Sequence, residues 1–214
     1  MKLDALAVGD SWVLTPTVHR DERGAFLEWF RGDLVAERTG RPFPVMQANH
    51  SISARGVIRG VHFADVPPGQ AKYVYCASGT VLDVVVDLRV GSPTFGRHAA
   101  VELDALDHRA VLMAEGLGHA FCALSDTVEV VYLVSTTYDP AVEHTISALD
   151  PELDLPWSMS TDTPPRLSPR DASAMSLAEA LSAGILPSYE ACQAHYAARG
   201  FVQPGSAAEG SGAR

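Results

Sequence analysis

The chain has 214 residues and 47% hydrophobic composition, enough for one domain that buries about 70% of the surface its unfolded form exposes. Sixteen Lys and Arg against 26 Asp and Glu leave a formal charge of −10, which argues against a surface built to neutralise nucleic-acid phosphates or anionic lipid but leaves room for a local basic pocket. The start, Met1-Lys2-Leu3-Asp4, has no basic segment followed by an apolar run, and no stretch nears the roughly 20 apolar residues that span a bilayer, so a soluble, cytoplasmic protein is expected.

From about Ser11 to Leu149, short β-rich runs are broken by Gly, Pro, Asn and Asp, the pattern of an antiparallel barrel or sandwich. Within it, Asp33 to Gly40 predicts one or two helical turns, with Leu34 and Val35 inward and charges outward. The clearest strands are Ala71 to Ala77, Val81 to Leu88, Ala99 to Leu103, Ala110 to Met113, Val128 to Val134 and His144 to Ala148. Turn signals such as Ser78-Gly79, Gly91-Ser92-Pro93 and Asp139-Pro140 separate them. Near the C-terminus the period changes. Ser176-Leu177-Ala178-Glu179 is a capping-box pattern, with Leu177 and Leu181 on one face and Gly184 placed to follow the last turn. A second helix is expected from Ser188, with Tyr189, Cys192 and Tyr196 as its packing stripe, and Phe201 to Arg214 is expected to fray. The widely spaced Cys76, Cys122 and Cys192 form no CxxC pair and read as small buried apolar residues.

Several residues stand out chemically. Strict alternation through Arg59-Gly60-Val61-His62 would send Arg59 and His62 to opposite faces, whereas a bulge at Gly60 would bring both into one cavity; from this segment alone, a core histidine beside a surface arginine is the simpler expectation. Lys72 shares the apolar face of Val74 and Cys76, so it needs water, an anion or a partner. Tyr132 lies on the face of Val130 and Val134, where a phenol either packs or relays a proton. The turn Gly116-Leu117-Gly118-His119 resembles the second cupin motif, but the companion His-x-His cluster is missing and only His62 stands in its place, favouring a metal-free cupin. Asp171 acquires a role only if its loop folds back onto His62.

Taken together, Asp21 to Glu28, Gln47 to Ser51, Gly56 to His62, Pro67 to Lys72, Asp83 to Arg89, Ser92 to Gly96, Gly116 to Phe121 and Tyr132 resemble, in order, the dTDP-4-dehydrorhamnose 3,5-epimerases and related dTDP-keto-sugar epimerases. The resemblance implies an all-β core, a cupin-like jelly-roll barrel over about residues 11–171, with short C-terminal helices over about 176–199, in a single epimerase domain spanning 1–199 with a flexible tail at 200–214. It implies a homodimer without metal or cofactor, acting on a dTDP-linked 4-keto-6-deoxyhexose. By the same resemblance, His62 is the base, Asp171 orients it, Tyr132 is the acid on the opposite face and Lys72 steadies the enolate. Arg59, His119, Gln47 and Asn49 match nucleotide or sugar contacts, Tyr138 the thymine-stacking ring, and Glu143 a further nucleotide contact. Arg23 and Glu28 match residues that reach the neighbouring subunit's site, and Arg170 stands where lysine is common before the aspartate.

These roles fit the chemistry of an enolate: a base titrating near neutrality, a cation at the ketone oxygen and an acid across the ring. Phe63-Ala64 and Leu117-Gly118 depart from the usual Tyr-Gln and Phe-Ala, changes expected to bear on the sugar pocket. Runs such as Lys72 to Cys76 and Leu186 to Tyr189 look closer to epimerases of antibiotic-sugar pathways, where some members invert only C3 or only C5. Three other readings stay open at this stage: a metal-dependent cupin oxygenase or isomerase using His62 and His119, a sugar-nucleotide 3,4-ketoisomerase, and a nucleotide-sugar binding module without turnover.

Overall fold

Alternation along the strands sets the architecture. In the computed structural model, which describes residues 1–159 and 164–199, the strands in chain order are β1 (Lys2–Ala5), β2 (Ser11–Thr15), β3 (Val18–Asp21), β4 (Gly24–Leu27), β5 (Gln47–Ala54), β6 (Ile58–Ala64), β7 (Lys72–Ser78), β8 (Thr80–Asp87), β9 (His98–Asp104), β10 (Ala110–Met113), β11 (Leu117–Ala123), β12 (Thr127–Val134) and β13 (Glu143–Thr145). They form a six-stranded sheet in the order β1-β2-β10-β7-β12-β5, a five-stranded sheet in the order β13-β6-β11-β8-β9, and the separate hairpin β3-β4. The chain is therefore mostly β, with helices α1 (Gly32–Thr39), α2 (Pro169–Ala172), α3 (Leu177–Ser182) and α4 (Tyr189–Ala198).

Each sheet buries apolar residues on both faces. Val74, Cys76, Val85, Val101, Phe121 and Val130 fill the space between the sheets. The opposite face of the six-stranded sheet, with Tyr73, Leu112 and Leu133, packs against Val35 of α1 and Phe43. The opposite face of the five-stranded sheet, with Phe63, Val84 and Cys122, is covered by Trp157, Leu177, Ala180 and Leu186. At about 25 cal/mol for each Å² of apolar surface removed from water, this burial is the main term holding the layers together.

Most predicted elements are present within a residue or two. The helix expected from Asp33 runs from Gly32 to Thr39 and ends on Gly40, whose φ of 69° supplies the left-handed cap. Ser176 and Glu179 form the capping box of α3, Ser188 caps α4, and all three cysteines are buried and free. Three details differ. Ala180, not Leu181, joins Leu177 on the buried face of α3, and Leu181 is exposed. The strand expected at His144 to Ala148 is β13, ending at Thr145, because Ile146 leaves it for a bridge with Met175. The six-stranded sheet also begins earlier than Ser11, with β1 paired along β2. The expected tail at 201–214 lies outside the described residues.

Candidate active site

A cavity of about 370 Å³ opens between the two sheets. From the six-stranded side, Gln47, Asn49 and Ser51 of β5, Lys72 of β7 and Tyr132 of β12 face it; from the five-stranded side come Arg59 and His62 of β6, His119 and Phe121 of β11, and Glu143 of β13. Gln70, Tyr138 and Arg170 complete its lining from the connecting segments. Period-two alternation explains the set, since Gln47, Asn49 and Ser51 share a face of β5 and Lys72 shares one with Val74 and Cys76.

Arg59 and His62 both line the cavity, against the simpler sequence expectation. His119 pairs with His62 and Phe121 with Arg59, so β6 carries an extra residue at this point in the ladder. Gly60 makes the bulge possible: its φ is +119°, and a Cβ there would sit 2.4 Å from the His119 carbonyl oxygen. Arg59 then reaches the edge of the other sheet, its Nε donating to Ser53 Oγ at 3.1 Å.

Asp171 lies on the short helix α2, not in an irregular loop, and its Oδ1 is 2.8 Å from His62 Nε2. Ser168 caps that helix and donates to Asp171 Oδ2 at 2.9 Å. Burial by itself would raise the Asp171 pKa, but the hydrogen bond and charge of His62, the Ser168 hydroxyl and Arg170 together hold it below the usual carboxylate value. Asp171 is therefore a carboxylate, and it accepts the Nε2–H of His62. Burial lowers the Lys72 pKa, with nearby Glu143 opposing it, and Lys72 has no ion pair among the described residues. Burial, reinforced by Glu143 and opposed by Arg59, raises the Tyr132 pKa, so its phenol keeps its proton.

A second imidazole is held in the same way, with His119 Nε2 2.7 Å from Asp83 Oδ2. The sequence reading did not single out Asp83, although Val81-Asp83-Val85 placed a carboxylate on an apolar face. It also passed over Ser51, Gln70 and Phe121. Arg170 donates to the Glu143 carbonyl at 3.1 Å and lies 3.4 Å from the Tyr138 hydroxyl. Arg23 and Glu28 are not brought to the cavity: Arg23 pairs with Asp21 on the exposed hairpin turn and Glu28 pairs with Arg31. Phe63, Ala64, Leu117 and Gly118 do not line it; Phe63 and Leu117 are packed in apolar clusters.

The sequence profile of the dTDP-4-dehydrorhamnose 3,5-epimerases matches residues 5–179. The chain belongs to that family. A dTDP-4-dehydrorhamnose 3-epimerase of Streptomyces niveus is 55% identical over 194 residues, covering 91% of this chain and 92% of that protein. The RmlC epimerase of Mycobacterium tuberculosis superposes with a TM-score of 0.91 at 47% identity, over 93% of this chain and 100% of that one. ChmJ, a 3'-monoepimerase from Streptomyces bikiniensis solved with dTDP-quinovose, gives 0.87 at 46% identity, over 91% and 97% of the two chains. The family thus includes relatives named for one inverted carbon and relatives named for two.

Proposed function

We propose that this chain epimerises a dTDP-linked 4-keto-6-deoxyhexose at C3, C5 or both, in deoxysugar biosynthesis of the antibiotic-pathway kind. One observation carries the reading: His62 and Tyr132 project from different sheets into one cavity, with the buried ammonium of Lys72 lining the same space. His62 Nδ1 takes the proton from the carbon beside the C4 ketone, and the electron pair moves onto the ketone oxygen as an enolate. Asp171 stabilises the imidazolium through Nε2. Lys72 offsets the enolate charge in a site where burial strengthens that interaction. Tyr132 then gives its phenolic proton to the opposite face of the carbon, inverting it. Both groups return to their starting protonation by exchange with water.

Arg59 and Arg170 supply donors suited to the diphosphate oxygens, Gln47, Asn49 and His119 to sugar or nucleotide, and Glu143 to nucleotide, while Tyr138 offers a ring to the thymine. We further propose a jelly-roll barrel within a single domain spanning residues 1–199, located in the cytoplasm, and a homodimer in which Arg23 and Glu28 serve the neighbouring subunit's cavity. Support for the dimer comes from the hairpin that carries Arg23, whose strands β3 and β4 pair, among the described residues, only with each other and leave Phe26 68% exposed.

Proton NMR of dTDP-4-keto-6-deoxyglucose incubated with the protein in heavy water tests the proposal. Deuterium entering C3, C5 or both, with inversion, supports it and names the carbon. No exchange in this or related 4-keto sugars overturns it.

A further inference from the structure

The segment between Val134 of β12 and Glu143 of β13 passes from one sheet to the other and brings Tyr138 to the cavity. Each end of it is tied down: Thr136 Oγ1 donates to the Gly69 carbonyl at 2.9 Å, and the Asp65 N–H donates to the Val142 carbonyl at 3.0 Å. Tyr138 lies between these ties, 52% exposed, and among the described residues two side chains hold it. Its N–H donates to Gln47 Oε1 at 3.0 Å, and Arg170 Nη1 lies 3.4 Å from its hydroxyl. Gln47 reaches it because β5 starts where β12 ends: Gln47 pairs with Val134, the last residue of β12 before the segment leaves the sheet.

The orientation of the Gln47 amide follows from its partners. A backbone N–H only donates, so Gln47 must turn Oε1 to Tyr138 and Nε2 the other way. Nε2 donates to Oδ1 of Asn49, on the same face of β5, at 2.7 Å. Both ends of the amide are thus engaged, and reversing it would set donor against donor and acceptor against acceptor. An exposed ring that is already placed loses less freedom when a base stacks on it than one that must be ordered on binding. We propose that Gln47 is a positioning residue for Tyr138, holding the segment so that the ring stands ready for the thymine before the nucleotide arrives. This role goes beyond the donor assigned to Gln47 above, and it rests on the reading of Tyr138 as the thymine-stacking ring.

Thymidine tests it, since it carries the base but neither diphosphate nor hexose. In Gln47→Met, which keeps the length of the side chain and removes its amide, thymidine affinity falls by about threefold to tenfold, the scale of one hydrogen bond. The KM for the keto sugar rises with it while kcat stays within about twofold, as expected where ground and transition states lose the same contact. In a Tyr138→Ala background the same substitution changes thymidine affinity by less than about twofold, because the ring through which Gln47 acts is gone. Amide exchange followed by NMR needs no ligand. The Tyr138 N–H exchanges faster by about threefold or more in Gln47→Met, and at the wild-type rate in Gln47→Glu, which keeps an acceptor for it. An unchanged thymidine affinity in Gln47→Met, an equal loss with and without the ring, or an unchanged Tyr138 exchange rate in Gln47→Met overturns the proposal. A wild-type protein that binds no thymidine overturns the reading of Tyr138 instead, and the exchange rate still decides whether Gln47 holds the segment.

Discussion

Two regions of this molecule bury charge, in opposite ways. Under α4, every nitrogen of Arg89 has an acceptor: Asp87 takes Nε and Nη2 at 2.9 Å, Asp10 takes Nη1 at 2.6 Å, and the Gly9 carbonyl takes Nη2 at 3.0 Å. Ser92 and Thr94 add hydroxyl donors to Asp87 at 2.6 Å each. In the cavity, Lys72 is 6% exposed, close to the 1% of Arg89, but no carboxylate among the described residues forms an ion pair with it. A paired buried charge is part of the scaffold, because removing either partner strands the other. A buried charge left open is poised for a ligand.

Substitutions separate the two regions. In the cavity, His62→Asn lowers the proposed epimerisation by a hundredfold to about ten-thousandfold, the range of general base catalysis, without a matching loss of stability; rate assays paired with thermal unfolding check it. Under α4, Arg89→Met destabilises the fold by about 3–5 kcal/mol, read by denaturant unfolding, because Asp87 and Asp10 lose their partner. Lys72→Met is the sharper contrast. It removes a cation with no ion-pair partner among the described residues, so stability holds or rises, while the rate falls by about a hundredfold through lost enolate stabilisation.

The smallest effect is one of pH. Burial holds the Lys72 pKa below the ordinary 10.5, so the ammonium is lost before that of an exposed lysine and the rate falls on the alkaline side. Between the folded value and 10.5 the unfolded chain binds a proton that the folded chain lacks, so the Lys72 contribution to stability rises with pH as the rate falls. Asp171 gives the acid-side counterpart. Its folded pKa lies below 3.8, so its stabilising contribution is lost as pH falls from that range through the folded value. Unfolding curves and rates across pH, with Lys72→Met as control, check these signs.

The contrast also explains what the sequence made legible. Period-two patterns placed Lys72 beside Val74 and Tyr132 beside Val130, and the structure keeps both on the cavity side of their sheet. Alternation failed at Arg59 and His62, because the extra residue in β6 is specified by a close approach of two backbones, a tertiary fact of which Gly60 was the only local sign. Asp171 was unreadable without the family resemblance, since its partner lies 109 residues away and only the return of α2 against β6 joins them. Asp83 was readable, as a carboxylate between valines on an inward face, yet its partner His119 lies on another strand. The hairpin β3-β4 follows neither pattern, as its residues are exposed or half-buried and bury no face of their own.

The central claim is that base and acid act from opposite walls of one cavity. Tyr132→Phe tests it most directly, followed by proton NMR of the keto sugar in heavy water. The base should still remove and return a proton on its own face, so deuterium enters the starting sugar while inversion falls by about a hundredfold or more. Inversion at the wild-type rate in Tyr132→Phe would contradict it.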